Sequence, residues 1–389
     1  MPVEHDLLHR VDSLQQALCS DKMPIAIFLG AGCPTAIRDE EGNPLVPAMD
    51  GLTKSCLTYL ERKCGTALKC LTGKLRADGE EQPNIERLLS EIRGLLQVIG
   101  NGEICGLRRK SLQELEREVC EHVAETMDRE LPRDDTPYHR LGAWIGAIER
   151  THPVEVFTPN YDLLLEQALE DSRVPYFDGF SGSRRAFFDA HAVENDELPS
   201  RWARLWKLHG SLNWFMSNGG NGGNGGAVYR STDGGNYSCR LIHPSHLKYD
   251  ESRKMPYFAL LERMRRFLLR PNSLMVVCGY SFRDEHLNAC ICDALQANPG
   301  GSTVFGLLYG GLAGYPAAVA LAGSVSNLVL LARDRGVIGR AEGPWLEESP
   351  DDADTWHGLV EWEEHAPALQ LGDFSVFGTF LSDVVGAPQ

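Results

Sequence analysis

Apolar residues first recur at helical spacing over residues 5–20, "HDLLHRVDSLQQALCS", and then fuse into the short run "MPIAIFLG". The first pattern predicts an amphipathic helix, the second a buried strand that ends on glycine. A loop dense in Gly, Pro and Asp follows, "AGCPTAIRDEEGNPLVPAMDG". Residues 50–130 return to helical periodicity. Ile85, Leu88, Leu89, Ile92, Leu95, Leu96 and Ile99 keep to one helical face, and Leu112, Leu115, Val119, Val123 and Met127 repeat the pattern. Strand-like runs then reappear as "PVEVFT", "RLWKLHG", "SLMVVCGYS", "STVFGLLYG" and "NLVLLAR", with the helical stretch "YDLLLEQALE" directly after the first of them.

Strands that alternate with helices predict an α/β protein. The expected architecture is a Rossmann-like doubly wound parallel sheet, with a helical insertion at about 50–140 and a small C-terminal appendage. Residues 1–310 form the main domain in this reading, and 311–389 add the last core strand and an acidic appendage. The stretch "SNGGNGGNGGAVYRSTDGG" offers nothing to pack, so residues 217–236 are expected to be a flexible loop. Alternation in "GLVEWEE" and "FSVFGTF" predicts strands in the tail, which reads as an edge element and a candidate assembly surface.

Composition narrows the function classes. The longest apolar stretch, "PAAVALAGSVSNLVLLA", is short for a membrane span and is interrupted by Ser and Asn, so no membrane association is expected. The N-terminus lacks a signal-peptide pattern, and the eleven cysteines fall without paired spacing. Both features point to a reducing, cytoplasmic location. Cys290 and Cys292 lie too close for the usual zinc spacing and read as core thiols; no metal site is expected. The net charge of −16 is concentrated at one end: after Arg340 there are eleven acids and no Lys or Arg. Direct nucleic-acid binding is therefore not expected, and the basic run "ERMRRFLLR" reads as a solvated helix face.

Four stretches fall at predicted strand ends, where ligands bind in such sheets. In "FLGAGCP", Gly30 and Gly32 would let backbone N–H groups approach a pyrophosphate, or would simply form a tight turn. In "TPNYD", Asn160 offers a donor and an acceptor to a ribose hydroxyl or a water, and Asp162 either caps the following helix or orients a sugar. In "LWKLHGSLNWF", His209 reads as a strand-end general base or as a structural histidine. In "VVCGYSFRDEHLN", Gly279 and Ser281 end a strand, while Asp284 and Glu285 suit a helix N-terminus and read as capping.

Together these stretches resemble the sirtuin superfamily, in its bacterial, defence-associated sirtuin-like branch. That family carries, in order, a G-A-G turn, a T-x-N-[hydrophobic]-D turn, a histidine in an L-H-G context and a G-x-S loop after a strand. Here they stand as "GAG" at 30–32, "TPNYD" at 158–162, "KLHGS" at 207–211 and "CGYS" at 278–281. The resemblance spans residues 25 to about 310 and makes the main domain a sirtuin-like NAD-binding domain. It implies NAD as substrate, with Gly30, Ala31 and Gly32 at the pyrophosphate and Asn160 and Asp162 at the nicotinamide ribose. It also implies His209 as base, Ser211 and Gly279 in the binding wall and Ser281 facing the adenosine half.

The departures from the family also carry information. Deacylating sirtuins follow the histidine with two Cys-x-x-Cys pairs that bind zinc; here only Cys239 falls there, so no zinc is expected. Pro34 stands where the family has serine, and Arg38 aligns only loosely with its arginine. Cleavage of NAD to nicotinamide and ADP-ribose is therefore the leading expectation. An NAD-dependent protein deacylase and a non-catalytic NAD or ADP-ribose sensor are the alternatives. The resemblance further implies anti-phage defence, a homo-oligomer, and a partner protein encoded nearby, either a hexameric motor ATPase or an Argonaute-like protein.

Overall fold

The computed structural model describes residues 3–216, 228–231, 239–242, 256–346, 358–363 and 366–386. Most of the glycine–asparagine run expected to be flexible, and much of the acidic stretch after Arg340, lie outside the described residues.

Seven parallel strands, numbered in chain order, build the centre of a nine-stranded sheet. They are β1 (Ile25–Leu29), β2 (Glu155–Thr158), β3 (Tyr176–Phe177), β4 (Ala203–Lys207), β5 (Ser273–Cys278), β6 (Ser302–Leu307) and β7 (Leu328–Leu331). Their spatial order is β7-β6-β5-β1-β2-β4-β3, and the antiparallel strands Arg335–Ile338 and Ala341–Pro344 extend the sheet beyond β7. The chain thus builds outward from β1 on one side through β2 and β4, and on the other through β5 and β6. This is the doubly wound topology expected from the alternation, and its crevice lies between β1 and β5.

Helices α1 (Leu7–Leu18), α2 (Met49–Ala77), α3 (Ile85–Val98), α4 (Arg109–Met127), α5 (Pro137–Ala147) and α6 (Leu164–Asp171) come first in the chain. Then follow α7 (Ala190–Asn195), α8 (Tyr257–Leu268), α9 (Glu285–Ala297), α10 (Pro316–Ser324) and α11 (Phe374–Val385). The unbroken apolar run of β1 is explained by its two buried faces. Ile25, Ile27 and Leu29 pack into a core shared with α1, the insertion helices α2–α4, and α5, α6 and α11. Ala26 and Phe28 pack into a second core with α8, α9 and α10. A five-stranded antiparallel sheet, in the order 239–242, 210–216, 228–230, 186–188 and 180–181, flanks the second core.

The structure departs from two expectations. The segment "FSVFGTF" is the first part of helix α11 and not a strand. Its phenylalanines recur every third residue, so Phe374, Phe377, Phe380 and Leu381 share one buried stripe. Asp373 caps the helix by accepting the N–H of Ser375 at 2.7 Å, and the ring of Phe374 meets Tyr138 of α5 edge-on at 4.9 Å. This helix is part of the core and does not lie free at an edge. The basic run on α8 is likewise only partly a solvated face. Arg265 and Arg266 are surface residues, but Arg263 is buried, with one guanidinium nitrogen 3.0 Å from both Glu155 and Asp196.

Candidate functional site

The segments that follow β1, β2, β4 and β5 converge on a cleft of about 770 Å³ at the carboxyl ends of the strands. Its walls include Ala31, Gly32, Asn160, Asp162, His209, Gly279 and Ser281, so most of the residues singled out from sequence come together. The insertion contributes Met49, Asn84 and Glu86, and the C-terminal region contributes Gly372, Asp373 and Phe374, which sequence reasoning missed. Asn84 and Glu86 open helix α3, where Asn84 accepts the N–H of Arg87 at 2.8 Å. Nothing local separates such an N-terminus from an ordinary cap; only the docking of α3 over the sheet turns it toward the cleft.

Two side-chain bonds tie the turn after β2 to the end of β1, and a third braces the turn internally. Thr158 donates its hydroxyl to the carbonyl of Leu29 at 2.7 Å and accepts the N–H of Asn160 at 3.0 Å. Asn160 donates from Nδ2 to the carbonyl of Gly30 at 3.0 Å. The amide is thereby oriented, with its donor side committed to the protein and Oδ1 left as the atom that can accept from a ligand. Asp162 accepts the N–H of Leu164, the first residue of α6, at 3.2 Å through Oδ1, while the cap position itself is held by Leu163 without a side-chain bond. Its other oxygen, Oδ2, is buried without a hydrogen-bond partner among the described residues. Burial pushes this carboxyl up, against the opposing pull of Lys207 and of backbone N–H groups.

Lys207 is the buried post beneath the turn. Its ammonium donates to the carbonyls of Tyr161, at 3.3 Å, and Asp162, and meets Glu166 at 2.9 Å. On the other side, the Tyr161 hydroxyl donates to Glu86 at 2.9 Å.

The glycines have a different role from the one expected of their N–H groups. Gly30 donates to the carbonyl of Cys278 and Gly32 to that of Gly279, each at 2.8 Å. A Cβ at Gly30 would come within 2.3 Å of the Gly279 carbonyl oxygen, and one at Gly32 within 2.9 Å. These glycines let the β1 and β5 loops touch, and their amides are spent on that contact and not on a phosphate. Gly279 completes the junction at φ +67°, a conformation that favours glycine. Pro34 is buried and begins a one-turn 3-10 helix, a position where its missing N–H costs nothing. Ser211, expected in the binding wall, does not line the cleft: it is fully buried in strand Gly210–Met216, and its hydroxyl has no partner among the described residues.

His209 follows β4, and its Nε2 lies 3.1 Å from Oδ2 of Asp284. The contact has ion-pair distance, although no donor is aligned on Oδ2 as a hydrogen bond. Through Oδ1 the same Asp284 caps α9, accepting the N–H groups of His286 at 3.0 Å and Leu287 at 3.1 Å. The capping expected of Asp284 is present, therefore, but it uses only one oxygen. For His209, burial opposes the charge, yet the contact with Asp284, its charge and that of Glu86 outweigh it and hold the imidazole above its ordinary value. For Asp284, burial also opposes the charge. The contact with His209 and two backbone N–H groups prevail, and the carboxyl is held below its ordinary value. Arg38 and Arg283 also reach the cleft, both exposed and neither paired through its side chain among the described residues.

Residues 154–316 match the family model described as SIR2-like domain. This match supports a sirtuin-like superfamily member, and SIR2-like domains use NAD. The SIR2-like match runs from just before β2 to the start of α10, so it contains Asn160, Asp162, His209, Gly279, Ser281 and Asp284. The loop at Gly30–Gly32 lies outside it. No curated protein matches the chain. Among the described residues no group of three or more His, Cys, Asp or Glu could hold a metal, and no helix is long and apolar enough to cross a membrane.

Proposed function

We propose that the cleft binds NAD and hydrolyses its nicotinamide–ribose bond, releasing nicotinamide and ADP-ribose. The observation that carries this reading is the buried, partnerless Oδ2 of Asp162 in the same cleft as the His209–Asp284 pair, beside the crevice of a doubly wound sheet. A buried carboxylate oxygen without a donor is costly in an empty cleft, and a ribose hydroxyl supplies the missing donor. The Oδ1 of Asn160, fixed by the bond from Nδ2 to Gly30, would accept from the attacking water or a second hydroxyl. Because the Gly30 and Gly32 amides are committed elsewhere, the diphosphate charge would fall to Arg38 and Arg283. The adenosine half would lie past Ser281, and Tyr309 and Tyr315, which also line the cleft, offer it rings to stack on.

In the reaction the C1′–N bond breaks, its electron pair neutralises the pyridinium nitrogen, and an oxocarbenium-like ribose is left for water. His209 accepts the proton of that water. Such cleavage depletes NAD, in keeping with the defence role and the separately encoded partner implied by the sequence resemblance.

The test is product analysis of NAD incubated with the protein, with and without an acetyl-lysine peptide, beside His209→Ala and Asn160→Ala. Peptide-independent release of nicotinamide and ADP-ribose is expected, reduced by roughly 10²–10⁴-fold in His209→Ala. Undiminished turnover in the folded variants would refute the assignment. Peptide-dependent release of an acylated ADP-ribose would make the protein a deacylase, and binding without turnover would make it a sensor.

A further inference from the structure

The proposed reaction gives His209 a task but does not say which ring nitrogen performs it or what holds the ring. The packing around the imidazole answers both questions. Nε2 lies 3.1 Å from Oδ2 of Asp284, at ion-pair distance but with no donor aligned on that oxygen as a hydrogen bond, and both side chains are nearly buried. Among the described residues no group hydrogen-bonds Nδ1. Asp284 is itself immobilised, because its other oxygen holds two N–H groups at the first turn of α9. A carboxylate fixed by a helix start and facing one nitrogen favours the tautomer that carries its proton there.

We propose that Asp284 is a positioning residue: it holds His209 through Nε2–H, so that Nδ1 is the nitrogen that takes up a proton in the cleft. This rests on the NAD-cleaving reading of the site. As water attacks C1′, its oxygen forms the new bond, one of its protons passes to Nδ1, and nicotinamide departs with the C1′–N electron pair. The resulting imidazolium is balanced by the Asp284 carboxylate, which stays ionised. Other charged and titratable groups lining the same cleft include Arg38, Glu86 from α3, Tyr161 and Asp162 from the turn after β2, Tyr280 and Arg283 from the segment that holds Asp284, and Tyr309 and Tyr315. Asp50 and Asp373 line the same cleft from α2 and the start of α11. Of these, Glu86 adds to the pull of Asp284 on the imidazolium.

The informative variant is Asp284→Asn. Asparagine is as good an N-cap as aspartate, so α9 keeps its cap while His209 loses the charge. Two readouts decide the matter. One is the NMR titration and tautomer of the His209 ring nitrogens, assigned by comparison with His209→Gln. The other is the pH profile of NAD cleavage.

The wild-type ring is expected to carry its proton on Nε2 when neutral. In Asp284→Asn its titration midpoint should fall by about 1–3 pH units, as for loss of an adjacent opposite charge. The acidic limb of kcat should move down with it, and the kcat plateau should drop by roughly 10²-fold with KM little changed. A midpoint that does not move, a wild-type tautomer protonated on Nδ1, or a variant that raises KM alone would overturn the proposal. If the wild-type protein cleaves no NAD, the catalytic reading fails separately, and the titration and tautomer still decide the pairing.

Discussion

Lys207→Met is the most revealing perturbation of the framework, because the ammonium sits at the centre of the turn that presents Asn160 and Asp162. The lysine is 2% exposed and holds three oxygens: the carbonyls of Tyr161 and Asp162 and the carboxylate of Glu166. Glu166 is also buried, and burial already pushes its carboxyl up against the opposing pull of Lys207. Removing one partner of such a pair strands the other and typically costs about 3–5 kcal/mol. The two carbonyls add to this only as far as water cannot reach them, at about 1–3 kcal/mol for a group left wholly unsatisfied. A loss of about 4 kcal/mol is therefore expected in equilibrium urea unfolding followed by tryptophan fluorescence.

The double variant Lys207→Met, Glu166→Met separates the contributions. It removes the stranded carboxylate but leaves the carbonyls, so it should regain stability over the single variant and still fall about 1–3 kcal/mol below wild type. Both variants should bind ADP-ribose more weakly by calorimetry, since the turn has lost its post. A single variant within about 1 kcal/mol of wild type, or a double variant less stable than the single, would refute this account of the turn.

Two further outcomes follow from the same geometry. Gly30→Ala should cost about 1–3 kcal/mol in urea unfolding, because its methyl would meet the Gly279 carbonyl oxygen at 2.3 Å. Gly73→Ala, on an exposed part of α2 with nothing within 4 Å, should instead stabilise by about 0.5–1 kcal/mol. The stability gap between wild type and Asp284→Asn should depend on pH. The raised His209 contributes stability that is full below about pH 6.5 and lost as pH climbs through its folded value; the lowered Asp284 contributes above about pH 4 and loses it as pH falls through its own. The gap should be widest between those limits, and thermal melts showing it widen on the alkaline side would contradict the pairing.

The sheet was legible in the sequence because strands buried on both faces leave continuous apolar runs, as in "IAIFL" and "SLMVVC", bounded by glycine. The insertion was legible from its single apolar faces. The tail misled because "FSVFGTF" satisfies an alternating pattern over a few residues, while its three-residue phenylalanine spacing suits α11 better. Asn160, Asp162 and His209 could be found because each follows a strand directly. Glu86 and Phe374 could not, since they reach the cleft from helices whose docking no local pattern records. The two readings of Gly30 and Gly32, close approach to a phosphate or a tight turn, could not be separated in the sequence for a related reason. A glycine needed for close approach looks the same whether the approaching group is a phosphate or another loop, and here it is the Gly279 loop.

The cleft is held by contacts between segments far apart in the chain. Asn160 bonds to Gly30, and Gly30 and Gly32 bond to Cys278 and Gly279. His209, after β4, faces Asp284, after β5. These contacts cross between the two wings of a sheet that winds outward from β1, so each pairs a residue from one wing with the centre or with the other wing. No single βα unit holds a complete set of the proposed groups. The proposed chemistry therefore depends on the contacts that hold the two wings in register at the crevice.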